Sequence, residues 1–88
     1  MKQQLLTLYG FLALPIKSQC QYLERHCTYL LHRYENETTK VYLHFAHSFF
    51  VEVWFDSLEI TIVRLRPFSN RNLLDPYLEQ LDIRSLFE

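Results

Sequence analysis

FFVEVWFD, residues 49–56, is apolar or aromatic throughout except for Glu52 and the closing Asp56. Valines and aromatic rings at this density favour extended backbone. Phe49, Val51, Val53 and Phe55 alternate with Phe50, Glu52 and Trp54, the period of a strand with two unlike faces. One face is fully apolar. The other carries a carboxylate between two rings, so it is expected to look away from the core.

The same period extends on both sides, from Lys40 to Arg66. Val41, Leu43 and Phe45 alternate with Tyr42, His44 and Ala46, and Leu58, Ile60 and Ile62 alternate with Glu59, Thr61 and Val63. Breaks at Ala46-His47-Ser48 and Asp56-Ser57 divide 40–66 into a three-stranded antiparallel meander. A two-residue turn at Asp56-Ser57 pairs Val53 with Ile60 and Glu52 with Thr61. A two-residue turn at His47-Ser48 would set Leu43 opposite Glu52. A three-residue loop over 46–48 instead pairs Leu43 with Val51 and Tyr42 with Glu52, keeping the apolar sets together, and is the expected register. Arg64 and Arg66 share parity with Ile60 and Ile62, which points to a bulge near Ile62-Val63.

Upstream, the period is helical. Ile16, Cys20, Leu23, Cys27, Leu30, Leu31 and Tyr34 step by three and four, opposite Lys17, Gln21, Glu24, Arg25, Thr28 and His32. This predicts a helix over 15–36, with Pro15 in its first turn and Asn36 at its stop. Residues 1–14 form an apolar N-terminal segment, with a short helix expected over 3–13 and ending near Gly10. Downstream, Asp75-Pro76 reads as an N-cap and first-turn proline, giving a helical segment over 70–87 that buries Tyr77, Leu78 and Leu81, then Ile83, Leu86 and Phe87. The expected fold class is α+β, αβββα, with both helices on one face of the sheet, over Val41, Val51, Val53 and Ile60. At 88 residues with 49% apolar and 16% aromatic content, one domain is expected, with nothing of a disordered or low-complexity composition.

The element order resembles that of the double-stranded RNA-binding domain. That family depends on lysines at the start of its last helix and on a long β1–β2 loop. Here the corresponding stretches read SNRNLLDPYLEQ and AHS, so the resemblance implies architecture and not function. A net charge of −1 and a pI of about 6.4 give no basic footprint. Single-strand binders stack bases on sheet aromatics beside cations, whereas Glu52 and Glu59 oppose Lys40, Arg64 and Arg66. Nucleic acid is not an expected partner.

Glu52 admits two accounts: a charge that keeps an aromatic strand soluble, or a polar contact at the middle of an interaction surface. The first is the expected role of Glu52 taken alone; the rings beside it carry the interaction hypothesis. Tyr42, Phe50, Glu52, Trp54 and Thr61 make the expected interaction surface, with His44, Arg64 and Arg66 as further polar contacts. Coverage of these rings by residues 1–14 is the competing account. The expected function is non-enzymatic protein binding, with the chain itself as partner in a homodimer. The alternatives are a small-molecule or catalytic module gathering Tyr42, His44 and Glu52, and a nucleic-acid-binding αβββα domain.

No catalytic residue, metal site or cofactor is expected. His44 and His47, even with Glu52, and His26 beside Cys27 lack zinc-ligand spacing. Adjacent helical residues diverge by about 100°. The serines have no base-and-orienter pattern, and a single glycine builds no phosphate loop. Cys20 and Cys27 on one helix stand roughly 10 Å apart, too far for a disulfide. Reduced thiols suit a cytoplasmic protein. The start, MKQQLLTLYGFLALP, resembles a signal peptide, but Thr7, Tyr9 and Gly10 break its apolar run and no A-x-A site follows. Asn36-Glu37-Thr38 matches a glycosylation acceptor, which matters only on export. No stretch reaches membrane-spanning length.

Overall fold

The computed structural model describes residues 5–78. The chain runs α1 (Leu8–Leu12), α2 (Ile16–His26), β1 (Thr28–Tyr34), β2 (Thr39–Phe45), β3 (Phe50–Asp56), β4 (Thr61–Phe68) and a 3-10 helix, Arg71–Tyr77. The four strands form one antiparallel sheet in sequence order. The α+β class stands. The three-strand count does not, and neither does the αβββα order, since a fourth strand occupies the second half of the expected 15–36 helix.

The reason lies in what residues 28–34 do for β2. Thr28-Tyr29-Leu30-Leu31-His32-Arg33-Tyr34 supplies the ladder partner that β2 would otherwise lack on that edge, and its aromatic and β-branched residues tolerate extension. The stretch read as a helix stop is a hairpin turn: Asn36 Oδ1 accepts the backbone N–H groups of Thr38 and Thr39, both at 2.9 Å. Gly10 lies inside α1 and does not end it; the helix is capped by Thr7, whose hydroxyl accepts from Gly10 N–H at 3.1 Å.

Both expected registers are corrected. In β2–β3, Tyr42 pairs with Val53, Leu43 with Glu52 and His44 with Val51. This is the two-residue turn at His47-Ser48. His47 takes φ 75° and Ser48 N–H donates to Ala46 O at 2.9 Å, the tight geometry of a γ-turn. In β3–β4, Glu52 pairs with Arg66 and Val53 with Leu65, because the connection spans 57–60 and not Asp56-Ser57 alone. The bulge falls where expected: Trp54 pairs with Arg64 and Phe55 with Ile62, leaving Val63 as the extra residue.

These registers split the apolar residues between two faces. On one, Phe11, Tyr22 and Leu23 of α1 and α2 pack on Ala46, Phe49, Val51 and Val53. On the other, Leu74 and Tyr77 of the 3-10 helix pack with Leu31, Leu43, Phe50 and Phe68. The expectation of one covered face is therefore corrected, and Val41 and Leu43 are buried on the opposite side from Val51 and Val53. Each such side chain contributes about 1.5–3 kcal/mol by burial. Asp75-Pro76 sits inside the 3-10 helix, whose N-cap is Asn70, accepting from Asn72 N–H at 3.0 Å. Tyr77 is buried as expected and Leu78 is exposed; Leu81, Ile83, Leu86 and Phe87 lie outside the described residues.

Candidate functional site

Glu52 is placed by the register just described. It pairs with Leu43 on one side and Arg66 on the other, so its side chain falls under the 3-10 helix, and only 1% of it is exposed. The expectation of a solvent-facing carboxylate is corrected. Tyr77 Oη donates to Glu52 Oε2 at 2.5 Å and Trp54 Nε1 donates to Oε1 at 3.2 Å. Arg33 Nη2 lies 3.5 Å from Oε2, and Arg66 Nε lies 3.2 Å from Oε1. The Arg66 contact is an ion pair only, because its Nε–H is not aimed at the carboxylate; the buried Nε–H of Arg33 also lacks a hydrogen-bond partner.

The cluster extends outward through rings. The Arg33 guanidinium sits 5.5 Å from the Trp54 ring centroid and 5.4 Å from that of Tyr77, and Arg64 lies 5.7 Å from Trp54. Burial, then the bond to Glu52, pushes the Tyr77 phenol well above its ordinary range. Burial acts against the Arg33 charge, but its bonds to Glu35 and Tyr77 and the field of Glu52 outweigh this and move its pKa up. A cleft of about 490 Å³ opens here between Arg33, Trp54, Arg66, Asn72 and Asp75. Both Glu52 oxygens are already engaged, so the group acts as a polar core that holds the 3-10 helix to the sheet.

The helix-side face is arranged differently. α1 and α2 cover only the end nearest the β2–β3 turn. Beyond them, Tyr29, His32 and Tyr34 of β1 lie beside Lys40, Tyr42 and His44 of β2. Tyr29–Tyr42 and His32–Tyr42 ring centroids are 6.1 and 5.9 Å apart, and His32–Tyr34 are 5.8 Å apart. Tyr34 is 67% exposed and Tyr29 49%. Lys40 Nζ stands 5.1 Å from the Tyr42 centroid and 5.5 Å from that of Tyr34. Where this stripe meets α2, a groove of about 460 Å³ lies between Cys20, Leu23 and Glu24 and the sheet residues Tyr42, His44, Val53, Phe55 and Ile62.

The expected surface residues are thus dispersed. Phe50 is buried, and Glu52, Trp54, Arg64 and Arg66 share the 3-10-helix face; Tyr42 and His44 lie on the opposite one. Thr61 is exposed at the start of β4. Tyr42, His44 and Glu52 cannot converge on one substrate, because the sheet separates them. Tyr29, His32 and Tyr34 were missed by the helical reading of 15–36; the turn chemistry of Asn36 to Thr39 was the signal that a strand precedes it.

Burial lowers the His44 pKa, an effect that the Tyr42 backbone carbonyl partly offsets. Burial raises the Cys27 thiol to about 11, which keeps it protonated and unreactive at neutral pH. Among the described residues no group of three His, Cys, Asp or Glu side chains is placed to hold a metal ion. No described helix is long and apolar enough to cross a membrane. Comparison of the chain with protein-family models, with curated proteins and with solved structures returns no match.

Proposed function

We propose that this chain is a non-enzymatic protein-interaction module whose docking surface is the open half of the helix-side face. The observation that carries the reading is the contiguous stripe of Tyr29, His32, Tyr34 and Tyr42, with Tyr29 and Tyr34 exposed and His32 and Tyr42 half-buried, beside an apolar groove. Tyrosines give a large, rigid contact area with a polar tip, and interface hot spots are enriched in them. Tyr42 of the expected surface belongs to this region, whereas Thr61, paired with Asp56, shares the face of Glu52 and Trp54; Phe50 and Glu52 support the sheet from behind.

A photoreactive phenylalanine analogue tests this in the native cell. Placed at position 34, it is expected to give a covalent adduct with a partner protein. Placed at Tyr9, which is 79% exposed on α1, it is expected to give none. The absence of an adduct at 34, or equal adducts at 34 and 9, overturns the reading.

A further inference from the structure

Resting on that reading, we propose that the partner is a second copy of this chain, and that two copies exchange their β3–β4 hairpin tips, each tip seating in the other's groove. Three observations on the same surface lead there. The first is continuity. Ile62 lines the groove and also opens the apolar run of the tip, so knob and hole are adjacent parts of one patch. A patch that carries both is self-complementary, and a two-fold axis closes it as a dimer without leading to fibres.

The second is the state of the tip itself. Leu58 and Ile60 are each 76% exposed, and Val63 57%. Ile60 also adopts φ 53°, a left-handed conformation that is a genuine outlier for a β-branched residue. Asp56 Oδ1 holds the turn in place by accepting from the N–H groups of Leu58 and Glu59, at 2.8 and 3.2 Å. An apolar tip held out in water by its own turn costs the lone molecule free energy that burial in a partner recovers.

The third is charge. The tip carries Glu59 between Leu58 and Ile60, and Lys40 stands beside the groove, its ammonium over the Tyr42 ring that lines it. Glu24 lies across the groove on α2, so the favourable orientation brings each Glu59 to the Lys40 side. Simple edge-to-edge strand pairing is the poorer route. β4 has the Val63 bulge and Pro67, which lacks an N–H, and β1 has its own register shift between Tyr29 and Leu31.

Sedimentation equilibrium of the full chain from micromolar to millimolar concentration is the test. Wild type is expected to be a dimer. Lys40→Glu and Glu59→Lys each place like charges at both contacts and are expected to weaken the dimer at least about tenfold. Mixed in equal amounts, the two variants form a heterodimer in which both contacts are again opposite in sign, and near wild-type affinity is expected to return. Only a contact between copies gives that rescue, and thermal unfolding confirms that each variant is folded. A wild type that stays monomeric overturns the proposal, as does a dimer indifferent to both substitutions or a mixture no tighter than its components. A monomer that still yields position-34 adducts with another protein removes the second copy and leaves the interaction reading standing. A monomer with no adducts removes both.

Discussion

The two faces of the sheet treat polarity in opposite ways. The face under the 3-10 helix buries the carboxylate of Glu52 and the phenol of Tyr77 and draws two guanidinium groups to them. The face under α1 and α2 is half open, and what it exposes is mostly aromatic. Charge has gone in where Glu52 finds donors for both its oxygens, and rings have stayed out where only half the surface is covered. Burial here follows which element lies above a residue, and not the residue's own hydropathy.

The strongest way to break this contrast is to remove the charge at the centre of the 3-10-helix face. Glu52→Ala leaves the buried Tyr77 hydroxyl and the Trp54 indole N–H without their acceptor, Arg66 without this counter-ion and Arg33 with Glu35 alone. It is expected to cost about 3–5 kcal/mol of unfolding free energy in denaturant titration. A loss within the range of an ordinary surface substitution would show that the cluster is solvated.

The same chemical deletion on the two faces sharpens the comparison. Tyr77→Phe removes the hydroxyl that donates to Glu52 and is expected to cost about 1.5–3 kcal/mol, as for hydrogen bonds to charged groups. Tyr34→Phe on the open face is expected to stay within about 0.5 kcal/mol of wild type. Equal effects would erase the distinction between the faces.

The smallest effect concerns His44. Its pKa in the folded chain lies below the ordinary 6.5, because burial disfavours the imidazolium. As pH falls through 6.5 the unfolded chain takes up a proton that folded His44 refuses, so stability declines toward the folded pKa and is fully present above 6.5. His44→Gln is expected to flatten that part of the profile. An unchanged profile would show that His44 is wetter than its position implies.

Legibility from the sequence varied by segment for physical reasons. The strand at 49–56 is plain because its valines and rings leave little competition from helix. The bulge at Val63 was legible too, since Arg64 and Arg66 conflict with the parity of Ile62. The segment 28–34 was misread because Leu30, Leu31 and Tyr34 fit a helical stripe as well as an extended edge, and the residue that decides lies outside it, at Asn36. The β2–β3 register was misread through an assumption that one face alone is apolar. Once the 3-10 helix covers the second face, Leu43 opposite Glu52 costs nothing.

By itself, the sequence determined an α+β chain built on β3, with Val51 and Val53 facing a helical cover, because alternation of side chains along an extended backbone is a local property. Only the tertiary structure decided that β1 joins the sheet, that Glu52 is buried and that the exposed rings are Tyr29 and Tyr34. Those outcomes depend on pairings between residues far apart in the chain, whose free energies no local pattern encodes.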